Sequence, residues 1–203
     1  MFYQISPSLE KKYCYAYQDL TLKGLTYGRC PYCSRTIGSY DFTGETHQFL
    51  LEGGTILPDL LGFHGAGTNN LIISSRALQV FRTNDVSGFN DEAPVSILHP
   101  FSNMHGNNES TEKQYFIIQT FGHIDLNLSA MQLKKKRKCL HCGQFDWNRR
   151  QFHPMHLDIT TWDGSDLCQL SSIPGYKICS EKVIGLVKQH KLTGFSFVQV
   201  NAK

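Results

Sequence analysis

The sequence has no apolar run approaching the roughly 20 residues that a bilayer-spanning helix needs, and its first residues, MFYQISPSLEKK, lack the apolar stretch of a secretory signal. Both absences predict a cytoplasmic protein with no membrane partner. Charge of one sign is scarce as well. Twenty Lys plus Arg stand against 17 Asp plus Glu, and a net charge of +3 is too small to point to nucleic acid by itself. Catalytic signatures are missing: there is no HExxH, no Gly-x-Ser-x-Gly and no phosphate-binding loop with its Lys-Ser/Thr partner. Residues 62–67 (GFHGAG) are merely glycine-rich, and His153 and His156, the closest pair among nine histidines, have no supporting motif. The sequence therefore predicts no enzyme, and no catalytic residue is assigned.

What is present is ample apolar material. Hydrophobic residues make up 40% of the 203, with 13 Phe and 9 Tyr, so a core can form without disulfides. The seven cysteines are an odd number, and four fall in two Cys-x-x-Cys pairs, Cys30/Cys33 and Cys139/Cys142. That usage fits a reducing compartment and metal binding better than a disulfide framework. Cys14, Cys168 and Cys179 read as core residues.

A shift of 106 residues aligns residues 72–89 (IISSRALQVFRTNDVSGF) with 178–195 (ICSEKVIGLVKQHKLTGF) without a gap. Ile72, Ser74, Gly88 and Phe89 recur as Ile178, Ser180, Gly194 and Phe195, and basic residues face each other at Arg76/Lys182 and Arg82/Lys188. Each copy reads as a short strand, a Ser N-cap, about three helical turns and a Gly stop. With small slips the match extends upstream to Asp59-Leu60 and Asp166-Leu167, then to the cysteine pairs. Strands are expected at residues 2–5, 115–120, 124–128 and 195–200, and the alternating segment 13–17 (YCYAY) reads as a strand packed on the core. The expected fold class is α+β. Short antiparallel strands and two main helices would form an internal duplication of a zinc-knuckle, strand and helix unit, joined by a shared zinc-ribbon-like site. The expected organisation is 1–101 for the first knuckle and repeat, 102–113 for a polar loop, and 114–203 for strands, second knuckle and second repeat, as one compact unit.

Four thiolates are the full ligand set of a closed tetrahedral zinc site, and a two-residue spacer lets both sulfurs of a pair face one point. Cys30, Cys33, Cys139 and Cys142 are thus the expected ligands of one structural zinc. The 105 residues between Cys33 and Cys139 far exceed the ~15 to 20 of an ordinary ribbon, yet each doubling of a loop costs only about 0.6 kcal/mol. Redox dithiols are disfavoured because neither pair opens a helix in a thioredoxin-like setting. His141 lies between two ligands, which makes it an exposed spacer residue.

The run Lys134, Lys135, Lys136, Arg137, Lys138 directly precedes Cys139. It suits either plain solvation or contact with an acidic protein surface, and phosphate contact is the third reading.

Taken together, Cys30-Pro31-Tyr32-Cys33, Cys139-Leu140-His141-Cys142-Gly143, Asp166-Leu167 with Leu170, and residues 180–195 resemble the bacterial double-CXXCG motif proteins. The resemblance runs from about residue 24 to the end and is more specific in the second half. Ser34 stands where the motif has Gly. The resemblance implies an immunity protein of a contact-dependent or polymorphic toxin system, which binds and neutralises a cognate toxin by occluding its active site. Mild basicity argues against a nucleic-acid mimic. It favours a toxin with an acidic or mixed cleft, such as an ADP-ribosyltransferase or another transferase or hydrolase. The alternative is a zinc-ribbon nucleic-acid-binding or regulatory protein.

Overall fold

Apolar neighbours such as Leu60-Leu61, Ile72-Ile73, Leu167-Cys168 and Ile178-Cys179 lie on strands covered on both faces. One residue of each pair, Leu60, Ile73, Leu167 or Cys179, joins one apolar cluster, while its neighbour, Leu61, Ile72, Cys168 or Ile178, joins one of two others. A strand that alternates between two cores buries neighbouring residues on opposite faces, so apolar residues fall side by side in its sequence.

The computed structural model describes residues 1–17, 25–34, 36–40, 47–64, 70–98, 113–132, 139–141, 154–170, 173 and 175–202. The first half contains β1 (Phe2–Pro7), β2 (Cys14–Tyr17), β3 (Leu25–Arg29), β4 (Thr36–Tyr40), β5 (His47–Gly53), β6 (Leu60–His64), β7 (Asn70–Ser74), α1 (Ser75–Thr83) and β8 (Phe89–Leu98). The second contains β9 (Tyr115–Thr120), β10 (Gly122–Leu126), β11 (His156–Asp158), β12 (Leu167–Leu170), β13 (Lys177–Ser180), α2 (Glu181–Gln189) and β14 (Phe195–Ala202).

Twelve of these strands close into two six-stranded barrels, ordered β2-β5-β8-β9-β7-β6 and β10-β11-β14-β1-β13-β12. Each pairing of one has its counterpart in the other, with the same sense. The β2–β6 and β5–β8 pairs are parallel, as are β10–β12 and β11–β14, and the remaining four in each barrel are antiparallel. One strand in each is exchanged. β1 closes the barrel made by β10 to β14, where Phe2 pairs with both Ser180 and Val200. β9 closes the barrel made by the first half, between β7 and β8.

The first barrel is filled by Ala16, Phe49, Leu51, Leu61, Ile72 and Ile117, the second by Phe2, Ile124, Leu126, Leu157, Leu170 and Ile178. A third cluster draws on both barrels and both helices: Leu78 and Phe81 of α1 and Val183, Ile184 and Val187 of α2 pack there with Leu60 and Leu167. Those helical positions follow the i, i+3 spacing of an apolar stripe.

Ser74 and Ser180 occupy the N-cap positions. Both helices end in a Schellman motif, in which Asp85 and Lys191 take left-handed backbone (φ 49 in each) while Val86 and Leu192 bond back to the carbonyls of Phe81 and Val187. Gly88 and Gly194, expected as helix stops, act elsewhere. At φ 91 and 83 they cross the other half's strand so closely that a Cβ would lie 2.1 Å from the Leu167 carbonyl oxygen and 2.5 Å from that of Leu60.

Two hydrogen-bonded carboxylates fasten the same crossing. Asp59 Oδ1 accepts from the Ser74 hydroxyl at 2.7 Å, and Asp59 Oδ2 accepts from the Thr193 N–H at 2.8 Å. Asp166 Oδ1 accepts from the Ser180 hydroxyl at 2.7 Å, and its Oδ2 from the Ser87 N–H at 3.1 Å. Each carboxylate thus ties its own half's strand and helix to the other half's chain.

The α+β expectation is corrected by this fold, which is mostly β: fourteen strands against two nine-residue helices among the described residues. No duplicated zinc-ribbon unit is present there either. The first cysteine pair follows β3 of the β3–β4 hairpin, and no matching hairpin flanks Cys139 among the described residues. Barrel closure depends on pairings such as Phe2 with Val200, and no local periodicity signals these. In segment 13–17 the small residues fill the barrel: Cys14 and Ala16 are buried in its core, while Tyr15 sends its hydroxyl to the Ser8 carbonyl at 2.8 Å.

Candidate metal centre

The connection from β2 to β5 carries Cys30 and Cys33, and that from β10 to β11 carries Cys139. The fold brings these three thiols together, with all their sulfurs within 4.8 Å of one another. Cys30 Sγ and Cys139 Sγ are 3.7 Å apart. A disulfide requires about 2.05 Å, whereas two thiolates on one tetrahedral zinc at about 2.3 Å per bond stand about 3.8 Å apart. The donor set and its spacing therefore fit a thiolate-bound metal. Cys142, the expected fourth ligand, lies outside the described residues, as do Lys134, Lys135, Lys136, Arg137 and Lys138.

Local geometry prepares the first knuckle. Cys30 is 1% exposed, and its carbonyl accepts the Ser34 N–H at 2.8 Å, closing a turn over Pro31, Tyr32 and Cys33. Burial raises the Cys30 thiol, but hydrogen bonds from the Cys33 and Tyr32 backbone N–H groups outweigh it and hold the pKa below the ordinary thiol value. Such N–H groups favour the thiolate that a metal needs. Ser34 holds φ 55, a left-handed conformation that the Gly of the motif adopts without strain. The turn is thus kept although the residue differs.

The spacer residues face solvent. Tyr32 is 79% exposed and Leu140 fully so, and the Tyr32 ring lies against His141 with centroids 5.0 Å apart. His141 does not join the thiol group. In the sequence Tyr32 and Leu140 are only spacers within the motifs; an apolar residue at a knuckle's spacer is the signal that marks them.

The other three cysteines are buried in the cores. Burial pushes the Cys168 thiol up to about 12, and it raises Cys14 and Cys179 as well. Groups so disfavoured as thiolates suit packing. No helix among the described residues is long and apolar enough to cross a membrane.

The chain matches no model of a known protein family, and no curated protein matches it.

Proposed function

We propose that this is a cytoplasmic immunity protein, without enzymatic activity, that binds a cognate bacterial toxin and occludes its active site. The single observation that supports this reading is the convergence of Cys30, Cys33 and Cys139 from loops more than 100 residues apart. It supports the double-CXXCG resemblance, which implies that role. One zinc per chain, completed by Cys142, holds the two loops as a fixed surface. The cognate toxin domain carries an acidic or mixed cleft, as an ADP-ribosyltransferase or another transferase or hydrolase could.

Co-expression with the product of the open reading frame directly upstream tests the function. Rescue from toxicity with a stable complex is expected. No rescue, together with salt-sensitive binding to DNA or RNA, overturns it in favour of a nucleic-acid binder. Metal analysis should find close to one zinc per chain, lost in Cys139→Ser with both barrels still folded.

A further inference from the structure

We infer that the thiol cluster is also an oxidation switch, in which a peroxide joins Cys30 to Cys139 by a disulfide, frees the metal and keeps the same two loops tied; this rests on the metal-holding role proposed for these cysteines and is independent of toxin binding. Accessibility sorts the described cysteines. Cys14, Cys168 and Cys179 are buried in the cores, where burial also disfavours the reactive thiolate. Water reaches Cys33 and Cys139, which are half-buried. Cys30, 1% exposed, has its sulfur within 4.8 Å of both of theirs but out of an oxidant's reach. An accessible thiolate with a second, sheltered one in contact is the arrangement of an oxidisable cysteine and its resolving partner.

Two features select Cys139 as the partner of Cys30. Their sulfurs stand 3.7 Å apart, so a movement of less than about 2 Å reaches the roughly 2.05 Å of a disulfide. Cys33, in contrast, belongs to the Cys30 turn, whose Tyr32 and Cys33 backbone N–H groups already hold the Cys30 sulfur; Cys139 arrives from the other loop and leaves that turn intact. With hydrogen peroxide as oxidant, the Cys139 thiolate attacks one peroxide oxygen and the O–O bond breaks, giving a sulfenic acid and a hydroxide that takes up a proton. The Cys30 thiolate then attacks the Cys139 sulfur, the S–O bond breaks, and a second hydroxide leaves as water. Two thiolates are oxidised to one disulfide, one peroxide is reduced to two waters, and two protons are consumed. The joined sulfurs no longer serve as thiolate ligands, so the ion passes to solvent. The new bond spans 109 residues of sequence, as the metal bridge did.

The test treats the full-length, zinc-loaded chain with hydrogen peroxide, follows released zinc with a chromogenic chelator, and maps disulfides by mass spectrometry of unreduced peptides. Release of close to one zinc per chain is expected, together with a Cys30–Cys139 cross-link and with Cys14, Cys168 and Cys179 still open to alkylation once the chain is unfolded. Dithiothreitol and fresh zinc should restore the starting state. Cys33→Ser should still form the cross-link, and Cys139→Ser should not. Zinc kept under peroxide, a bond within either pair (Cys30–Cys33 or Cys139–Cys142), oxidation that stops at sulfinic acid, or a core cysteine oxidised first would each overturn the switch while leaving the metal centre in place. A chain that takes up no zinc removes the metal centre and the switch together.

Discussion

Asp59 and Asp166 hold corresponding places in the two barrels, yet only one is fully shut away from water. Asp59 has 0% exposure and is approached by Arg76 at 3.4 Å and Lys113 at 3.2 Å. Asp166 is 14% exposed and meets one cation, Lys182, at 3.1 Å. Both reach across the molecule through a hydroxyl residue, Thr193 in one case and Ser87 in the other. Their cations do so as well: Arg76 donates to the His190 carbonyl and Lys182 to that of Asp85. The plan is shared, but the cost of disturbing it is not. A carboxylate without access to water depends on every donor it has, whereas one at the rim can replace a lost donor by a water molecule.

The largest difference is expected from the carboxylates themselves. Asp59→Asn forces an amide among donors in a sealed site and should destabilise by about 3 kcal/mol, against about 1 kcal/mol for Asp166→Asn, as read by urea unfolding. Equal losses would mean that water reaches both sites alike.

Next come the serines. Ser74 donates to Asp59 and also caps α1, accepting from the Ala77 N–H at 3.1 Å, whereas Ser180 makes no side-chain cap bond. Ser74→Ala should therefore cost about 2 kcal/mol and Ser180→Ala about 1 kcal/mol in the same measurement. A Ser180→Ala loss as large as that of Ser74→Ala would show that the cap contributes nothing.

The smallest effect is on acid sensitivity. Burial raises both carboxyl groups, but it is outweighed at Asp59 by the Thr193 N–H, the Ser74 hydroxyl and Lys113, and at Asp166 by the Ser180 hydroxyl, the Ser87 N–H and Lys182. Both pKa values therefore lie below the ordinary carboxyl range. Their stabilisation is complete above the unfolded value of about 3.9 and is lost as pH falls through the lower folded value. Stability measured between pH 5 and 2 should decline less steeply in either Asn variant than in the parent. An unaltered slope in Asp59→Asn would remove that site from acid unfolding.

How far the sequence discloses this molecule depends on the range of each interaction. Ser74 and Ser180 announce themselves as helix starts because an N-cap is a local matter, and Cys30, Cys33 and Cys139 are legible because spacing within a pair is local too. Gly88 and Gly194 read locally as helix stops, since a glycine after a helix usually ends it and nothing nearby reveals the Leu167 and Leu60 carbonyls they pass. Asp59 and Asp166 stood out as matched residues, but their role depends on Thr193 and Ser87, which come from the opposite half. The barrels were hidden for the same reason: β1 finds its neighbours β13 and β14 only at the far end of the chain.

The exchanged strands also set an order on assembly during synthesis. The barrel of the first half lacks only β9, so it can close once residue 120 has left the ribosome. The other must keep its first strand waiting until β13 and β14 have been made. Such distant pairing makes closure slow. Through most of translation Phe2 and Ile5 are without the strands that bury them, and a nascent chain in that state is open to chaperones or to the β1 of a neighbouring copy.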